Sequence, residues 1–346
     1  DDPALRRLAV VFALLAAPVI LSAIGSYSPV ESLLAAAALA GYFIAAMAML
    51  YALQAPGAPD LLQRLLFFAC AFLLCDGLFA VAFGFDIFGV PYHPDNHEGR
   101  LMGPFAKRRY YPYLLAVLAP IAVARIAGTR PVLGVVLLSL AAGLAFLGGS
   151  RSAVILLLLG SAFLAWQHRR QFAKVLALPA LAAVLAALFA YESSPIVRMQ
   201  VDKFIAPKGD SLFEIVDGLV TNRLYVWDTG VNMWLDNPLN GVGAGSFTEA
   251  YAAYSRLPGD PFRNDYIAHA HSMYVAIAAE SGTLGLLALV LLVALSVRWY
   301  LQAHAQARAR AGGYAAVLFA IAFPLQSQLP LFKFWWFPVV LLVYVA

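Results

Sequence analysis

Charge is scarce in this chain of 346 residues. Asp, Glu, Lys and Arg together supply 12% of positions, about half of what a soluble domain carries. Cysteine is nearly absent: only Cys70 and Cys75 occur, five residues apart in one apolar stretch. On a helix they point in different directions, so neither a disulfide nor a thiolate metal site is expected. What replaces charge is apolar surface, with 62% of residues in the hydrophobic set and a mean hydropathy of +0.78. Such a surface excludes an ordinary soluble globule, a disordered chain and a nucleic-acid-binding domain, and it calls for lipid as its solvent. The net charge of +4 reflects the loops of a membrane protein rather than a polyanionic partner. There is no initiator Met, and the chain opening Asp1-Asp2-Pro3 reads as one that lacks spans at its N-terminus. The first apolar run has no cleavage-site pattern and is not read as a signal peptide.

A span needs roughly 17–25 mostly apolar residues. Ten stretches qualify: about 8–25, 31–53, 62–84, 111–128, 131–148, 152–167, 173–191, 269–297, 312–329 and 331–346. The expected fold is an all-α polytopic transmembrane helical bundle, a single integral membrane domain over 1–346. Residues 192–268 form a large, partly helical loop subdomain within it.

Positive charge sets orientation. The N-terminus and the even-numbered short loops carry Arg6, Arg7, Arg64, Arg125, Arg130, Arg169, Arg170, Lys174, Arg298, Arg308 and Arg310, whereas the short odd-numbered loops carry only Arg151 and Lys333. The N-terminus is therefore expected in the cytoplasm. Segment 85–110, Arg151 and segment 192–268 then emerge together on the outer face.

The long outer segment is not linker-like, because it holds Trp227, Trp234 and many Tyr and Phe residues. Asn222 is a candidate cap for a helix running to Asp236 and stopped by Asn237-Pro238. On it Leu224, Trp227, Val231 and Trp234 form one apolar stripe, expected to pack on the bundle or lie in the membrane interface. Gly241-Val242-Gly243-Ala244-Gly245 is a tight backbone passage. It follows no strand and lacks GxGxxG spacing, so a nucleotide site is rejected. A second short helix is expected at about 247–257.

The ionisable residues gather at the membrane edge. Arg151 opens a span after Gly148-Gly149-Ser150; it is either a snorkelling or structurally paired arginine, or an anion ligand. Asp76, inside the third span, is a candidate structural partner for it. His271 sits where the outer loop meets the eighth span, and an imidazole, with its unperturbed pKa of about 6.5, suits proton transfer near neutral pH. His269, two residues away, is a candidate support. Glu280 lies nine residues beyond His271, half a turn off on a straight helix, and is read as structural. His168 and His304 are read as surface residues. His93-Pro94-Asp95-Asn96-His97-Glu98 has metal-ligand residue types, but Pro94 argues against the helix that would stack the two histidines, so no metal site is expected. Arg100, Lys107, Arg108 and Arg109 follow; they suit either solvent or an anionic headgroup or diphosphate. No Asp-x-Asp motif occurs in the outer segments. If a diphosphate leaves here, fixed arginines rather than a divalent ion are the candidates to stabilise it.

Four pieces then occur in order: Arg100-Leu101-Met102-Gly103-Pro104-Phe105; Gly149-Ser150-Arg151-Ser152-Ala153; Asn222 to Trp227 followed by Asn237 to Phe247; and His269-Ala270-His271-Ser272-Met273-Tyr274 with Glu280-Ser281-Gly282. Together they resemble the O-antigen ligase and O-antigen polymerase superfamily of bacterial membrane glycosyltransferases, and the ligase most. Ser272 departs from the Asn usual after the histidine. The family's usual twelve or so spans would leave two outside this chain.

The resemblance implies a multi-pass protein of the bacterial inner membrane whose active site faces the periplasm. It implies a glycan donor on undecaprenyl diphosphate, a lipid A–core hydroxyl as acceptor, and an inverting transfer that needs no metal or other cofactor. His271 would be the base, with His269 in support. Arg151 and Arg223 would hold the diphosphate, and Arg100 would help, since paired guanidinium groups bind phosphate oxygens in a bidentate way. Besides the two substrates, the expected partners are membrane lipids and no nucleic acid. Two alternatives remain open: a polymerase or protein O-oligosaccharyltransferase using the same donor, and a lipid-glycan transporter. A transporter should carry ionisable groups near the midplane and broken spans, whereas here the charges lie at the outer edge.

Overall fold

The computed structural model describes residues 2–92, 100–105, 110–172, 188, 191–192, 198, 201–202, 211–220, 223–264, 269–324 and 336–346. Within these the protein is all-α. The helices are α1 (Pro3–Ser22), α2 (Pro29–Leu53), α3 (Ala58–Phe83), α4 (Tyr111–Ala124), α5 (Pro131–Leu147), α6 (Arg151–Gln167), α7 (Arg169–Phe172), α8 (Leu212–Leu219), α9 (Arg223–Asp236), α10 (Phe247–Tyr254), α11 (Met273–Gln302), α12 (Ala305–Ala322) and α13 (Phe337–Val345). Four of them, α1, α2, α3 and α11, are long and apolar enough to cross a membrane; α4, α5 and α6 are shorter apolar helices. The chain is an all-α helical, multi-pass membrane protein.

Its contacts divide it into two compact units: Asp1–Pro56, Lys208–His304 and Pro324–Ala346 in the first, Gly57–Pro207 and Ala305–Phe323 in the second. In the first, α1 packs on α2 and α11, and α13 on α2. Asp2 caps α1 by accepting from the Ala4 N–H, and its other oxygen accepts from Gln54 Nε2 at 2.7 Å, tying the start of α1 to the end of α2. Leu8, Val11, Phe12, Ala46 and Leu341 form the apolar contact between these helices. From Lys208 onward, the long polar segment belongs to this same unit.

In the second unit α4 is central, buried along nearly its whole length and packed by α3, α5, α6 and α12. Lipid offers no hydrophobic drive for helices to associate, so close packing must come from small residues. A Cβ on Gly313 of α12 would lie 2.8 Å from the Ile121 Cα, and one on Gly160 of α6 3.2 Å from the Pro120 Cγ. These glycines let backbones meet where Pro120 removes a donor from α4.

Several boundaries differ from expectation. The eighth span begins at Met273, because Ser272 caps it. The ninth begins at Ala305 rather than 312, since Arg308 and Arg310 lower hydropathy without opposing a helix. Asp76 does not pair with Arg151; its Oδ1 accepts from the Ile87 N–H at 3.0 Å, fastening the turn after α3. Cys70 is buried and Cys75 exposed, both free thiols. His304 is exposed, while His168 is half-buried against Phe172, and that burial pushes its pKa down. The 173–191 span, except for Leu188 and Tyr191, and all of His93–Glu98, Lys107–Arg109, Asn222 and Lys333 lie outside the described residues.

Candidate active site

The five candidate residues fall into two groups. Arg100 and Arg151 belong to the second unit, Arg223, His269 and His271 to the first.

The first group is built on a glycine turn. The Leu101 N–H donates to the Leu147 carbonyl at 3.0 Å and its side chain is buried, which anchors the strand of chain bearing Arg100. Gly103 has φ +53°, the Tyr111 ring occupies the place of its missing side chain, and the Tyr111 hydroxyl donates to the Leu73 carbonyl at 2.8 Å. The chain leaves α5 through Gly149, at φ +68°. A Cβ there would sit 2.9–3.0 Å from the Arg100 Nε, Cδ and Cγ, so the Arg100 side chain lies across this glycine. Ser150 then caps α6 by accepting from the Ala153 N–H at 3.3 Å, and the Ser152 hydroxyl meets that of Tyr113 at 2.5 Å. Each small residue of Gly149-Ser150-Arg151-Ser152 thus has a structural task. Arg151 remains half-buried on the first turn of α6, beside a helix end whose free N–H groups and dipole favour anions.

The second group is built on loops. Arg223 opens α9. The Asp217 carboxylate, buried at the end of α8, accepts from the Leu224 N–H at 2.8 Å and caps α9 from another helix. The buried face of α9 is Val226, Thr229, Gly230 and Met233. Trp227 and Trp234, from the expected stripe, are half-buried beside that face and Val231 is exposed. Both indoles donate hydrogen bonds: Trp227 Nε1 to the Ala270 carbonyl at 3.0 Å, Trp234 Nε1 to the Thr283 hydroxyl at 3.1 Å. Gly230 lies between them against the Val275 side chain, with no room for a Cβ.

His271 has φ +52°, the one non-glycine residue with positive φ among the described residues. That left-handed conformation costs about 1–2 kcal/mol for an L-residue and tends to persist at functional sites. The His269 and His271 ring centroids are 4.1 Å apart. His271 precedes the helix cap Ser272, so it is not on the helix at all, and a wheel projected from it to Glu280 does not apply.

Glu280 has a different task. α11 breaks at Gly282, with φ +62° and ψ −159°. A break frees backbone groups that the bilayer cannot satisfy. Here the Gly-rich passage supplies the partners: Val242 N–H donates to the Ala279 carbonyl at 2.8 Å and Gly243 N–H to the Glu280 carbonyl at 3.1 Å. In return the Pro238 and Leu239 carbonyls accept from Thr283 and Leu284 at 2.8 and 3.2 Å. The Glu280 carboxylate accepts from the Phe247 N–H at the start of α10. Gly241 and Gly282 are required because each lies directly against the other's backbone strand. On its other side the passage is held by Ser22, Ser26, Ser32 and Ser246, with Ser32 Oγ donating to the Ala244 carbonyl and Ala244 N–H to Ser22 Oγ, both at 3.0 Å. The passage is a backbone splint for a broken span. Motif spelling alone does not reveal that role.

On α10 the Tyr251 hydroxyl donates to Asp260 Oδ2 at 3.0 Å, and just after it the Ser255 hydroxyl donates to the same oxygen at 2.5 Å. Burial pushes the Tyr251 phenol up, with a hydrogen bond to Thr229 opposing and the Asp260 charge adding. Among the described residues no three His, Cys, Asp or Glu side chains group as metal ligands.

The described residues thus hold two arginines beside the capped start of α6 and, separately, two histidines in ring contact, one of them strained, at a loop–span junction: groups able to bind an anion and to exchange a proton. Residues 135–290 match the family model described as O-Antigen ligase. This segment contains Arg151, Arg223, His269 and His271 but not Arg100, and its match supports a place in the O-antigen ligase and polymerase superfamily of glycosyltransferases. No curated protein matches the chain.

Proposed function

We propose that the protein is an O-antigen ligase of the bacterial inner membrane, working at the periplasmic face in lipopolysaccharide assembly. The donor is a glycan on undecaprenyl diphosphate and the acceptor a sugar hydroxyl of lipid A–core. His271 takes the proton of the acceptor hydroxyl as its oxygen attacks the anomeric carbon from the face opposite the leaving group. The anomeric C–O bond breaks, undecaprenyl diphosphate leaves with the electron pair, and the configuration inverts. Arg151 and Arg223 bind the diphosphate, Arg100 assists, and their fixed charges offset the developing negative charge without a divalent ion. His269 supports His271.

The observation that carries this reading is the left-handed His271, held at a loop–helix junction inside the matched segment. The transporter alternative gains one feature from the structure, a broken span, but the backbone groups freed at Gly282 are spent on the Gly-rich passage. The test is transfer in vitro from a lipid-diphosphate donor, with a strong chelator present, to lipid A–core, to a second donor molecule or to a protein. Transfer to lipid A–core alone is expected. Preference for a second donor or for protein would make the enzyme a polymerase or a protein O-oligosaccharyltransferase. Loss of activity restored by Mg²⁺ or Mn²⁺ would overturn the metal-free mechanism.

A further inference from the structure

Trp227 and Trp234 are two helical turns apart on α9, and they grip both ends of the first segment of α11. One indole holds the carbonyl of Ala270, immediately before His271; the other holds Thr283, immediately after the Gly282 break. Between them Gly230 admits Val275. α9 therefore lies as a rigid strut along residues 270–283. Ala270 is fully buried, so no water competes for its carbonyl. That carbonyl belongs to the peptide whose N–H is on His271, and its direction fixes the plane from which the strained φ of His271 departs. Arg223 is four residues before Trp227, on the same face of the same helix.

We propose that Trp227 is a positioning residue, whose indole N–H locks the Ala270–His271 peptide so that the imidazole keeps one orientation relative to Arg223. This rests on His271 being the base. A displaced base costs rate at the chemical step rather than donor affinity. A donor-binding role for Trp227 would do the reverse.

The experiment uses the full chain in lipid nanodiscs. Trp227→Phe removes the N–H and keeps an aromatic ring; Trp166→Phe, at an exposed site on α6, is the control. The expected result is a fall in kcat of about 10- to 100-fold with donor KM within about twofold. It comes with faster amide exchange at 269–272 and a moved His271 ring signal, identified by its loss in His271→Ala. Benzothienylalanine at 227 swaps the N–H for sulfur and keeps the bicyclic ring. It isolates the hydrogen bond if Trp227→Phe does not fold. Unchanged kcat, or unchanged exchange at 269–272, overturns the proposal. An active His271→Ala overturns the base reading instead, and leaves the exchange result to judge the lock.

Discussion

The Arg100–Arg151 corner and the Arg223–His271 corner solve one problem in two ways. The first is assembled from helix ends: a glycine turn, one serine cap and one tyrosine–serine contact place two guanidinium groups with bonds that mostly span a few residues or join adjacent helices. The second is assembled from loops joined to distant chain, with Trp227 reaching Ala270, Asp217 capping α9, and serines near residue 26 bracing the passage at 244. Its strain resides at one residue, His271. Binding an anion needs charge near a helix start and tolerates small displacement, because Coulomb attraction falls slowly with distance. Proton transfer needs hydrogen-bond distance and direction. The corner to which we assign proton transfer, the more exacting chemistry, has the more elaborate bracing.

The largest way to test that contrast is His271→Ala, expected to lower transfer by at least about 100-fold while donor binding survives; an active variant removes the chemical half of the comparison. Next, Arg151→Ala and Arg223→Ala should each lower kcat/KM for the donor by about 10- to 100-fold, as loss of a charged hydrogen-bond partner does. Arg169→Ala and Arg308→Ala should stay within about twofold, and equal effects in all four would show that the cation assignment is wrong. Gly282→Ala separates bracing from chemistry. It places a Cβ against the Leu239 carbonyl at φ +62°, so thermal unfolding should reveal a loss of about 1–3 kcal/mol. Gly149→Ala should instead act locally, raising donor KM by displacing Arg100. The smallest effect is expected from the α9 cap: Asp217→Ala should cost about 1 kcal/mol and Asp217→Asn much less, read from the same unfolding curves.

Much of this was legible in the chain. The all-α membrane class followed from charge scarcity, and the first three spans from hydropathy runs with helix signals at their ends. Gly149-Ser150-Arg151 could be read as a turn, a cap and a first-turn cation. The missed features share a cause. The stripe drawn through Leu224, Trp227, Val231 and Trp234 treats tryptophan as apolar bulk, whereas both indoles act through their N–H at the edge of a buried face centred on Met233. Asp217 is six residues before α9, too far in sequence to stand out as its cap. Glu280 reads as structural from its place on the span, but its partner, the Phe247 N–H, is reached only through the fold.

Local order needs only neighbours: apolar runs, caps and glycine turns depend on a few consecutive residues, so the one-dimensional pattern was enough for the all-α class and the first three spans. The break at Gly282, its splint from residues 238–243 and the left-handed His271 are of another kind. Each is a locally unfavourable backbone state, stabilised by hydrogen bonds from chain about 40 residues away, and no periodicity records a bond partner at that separation.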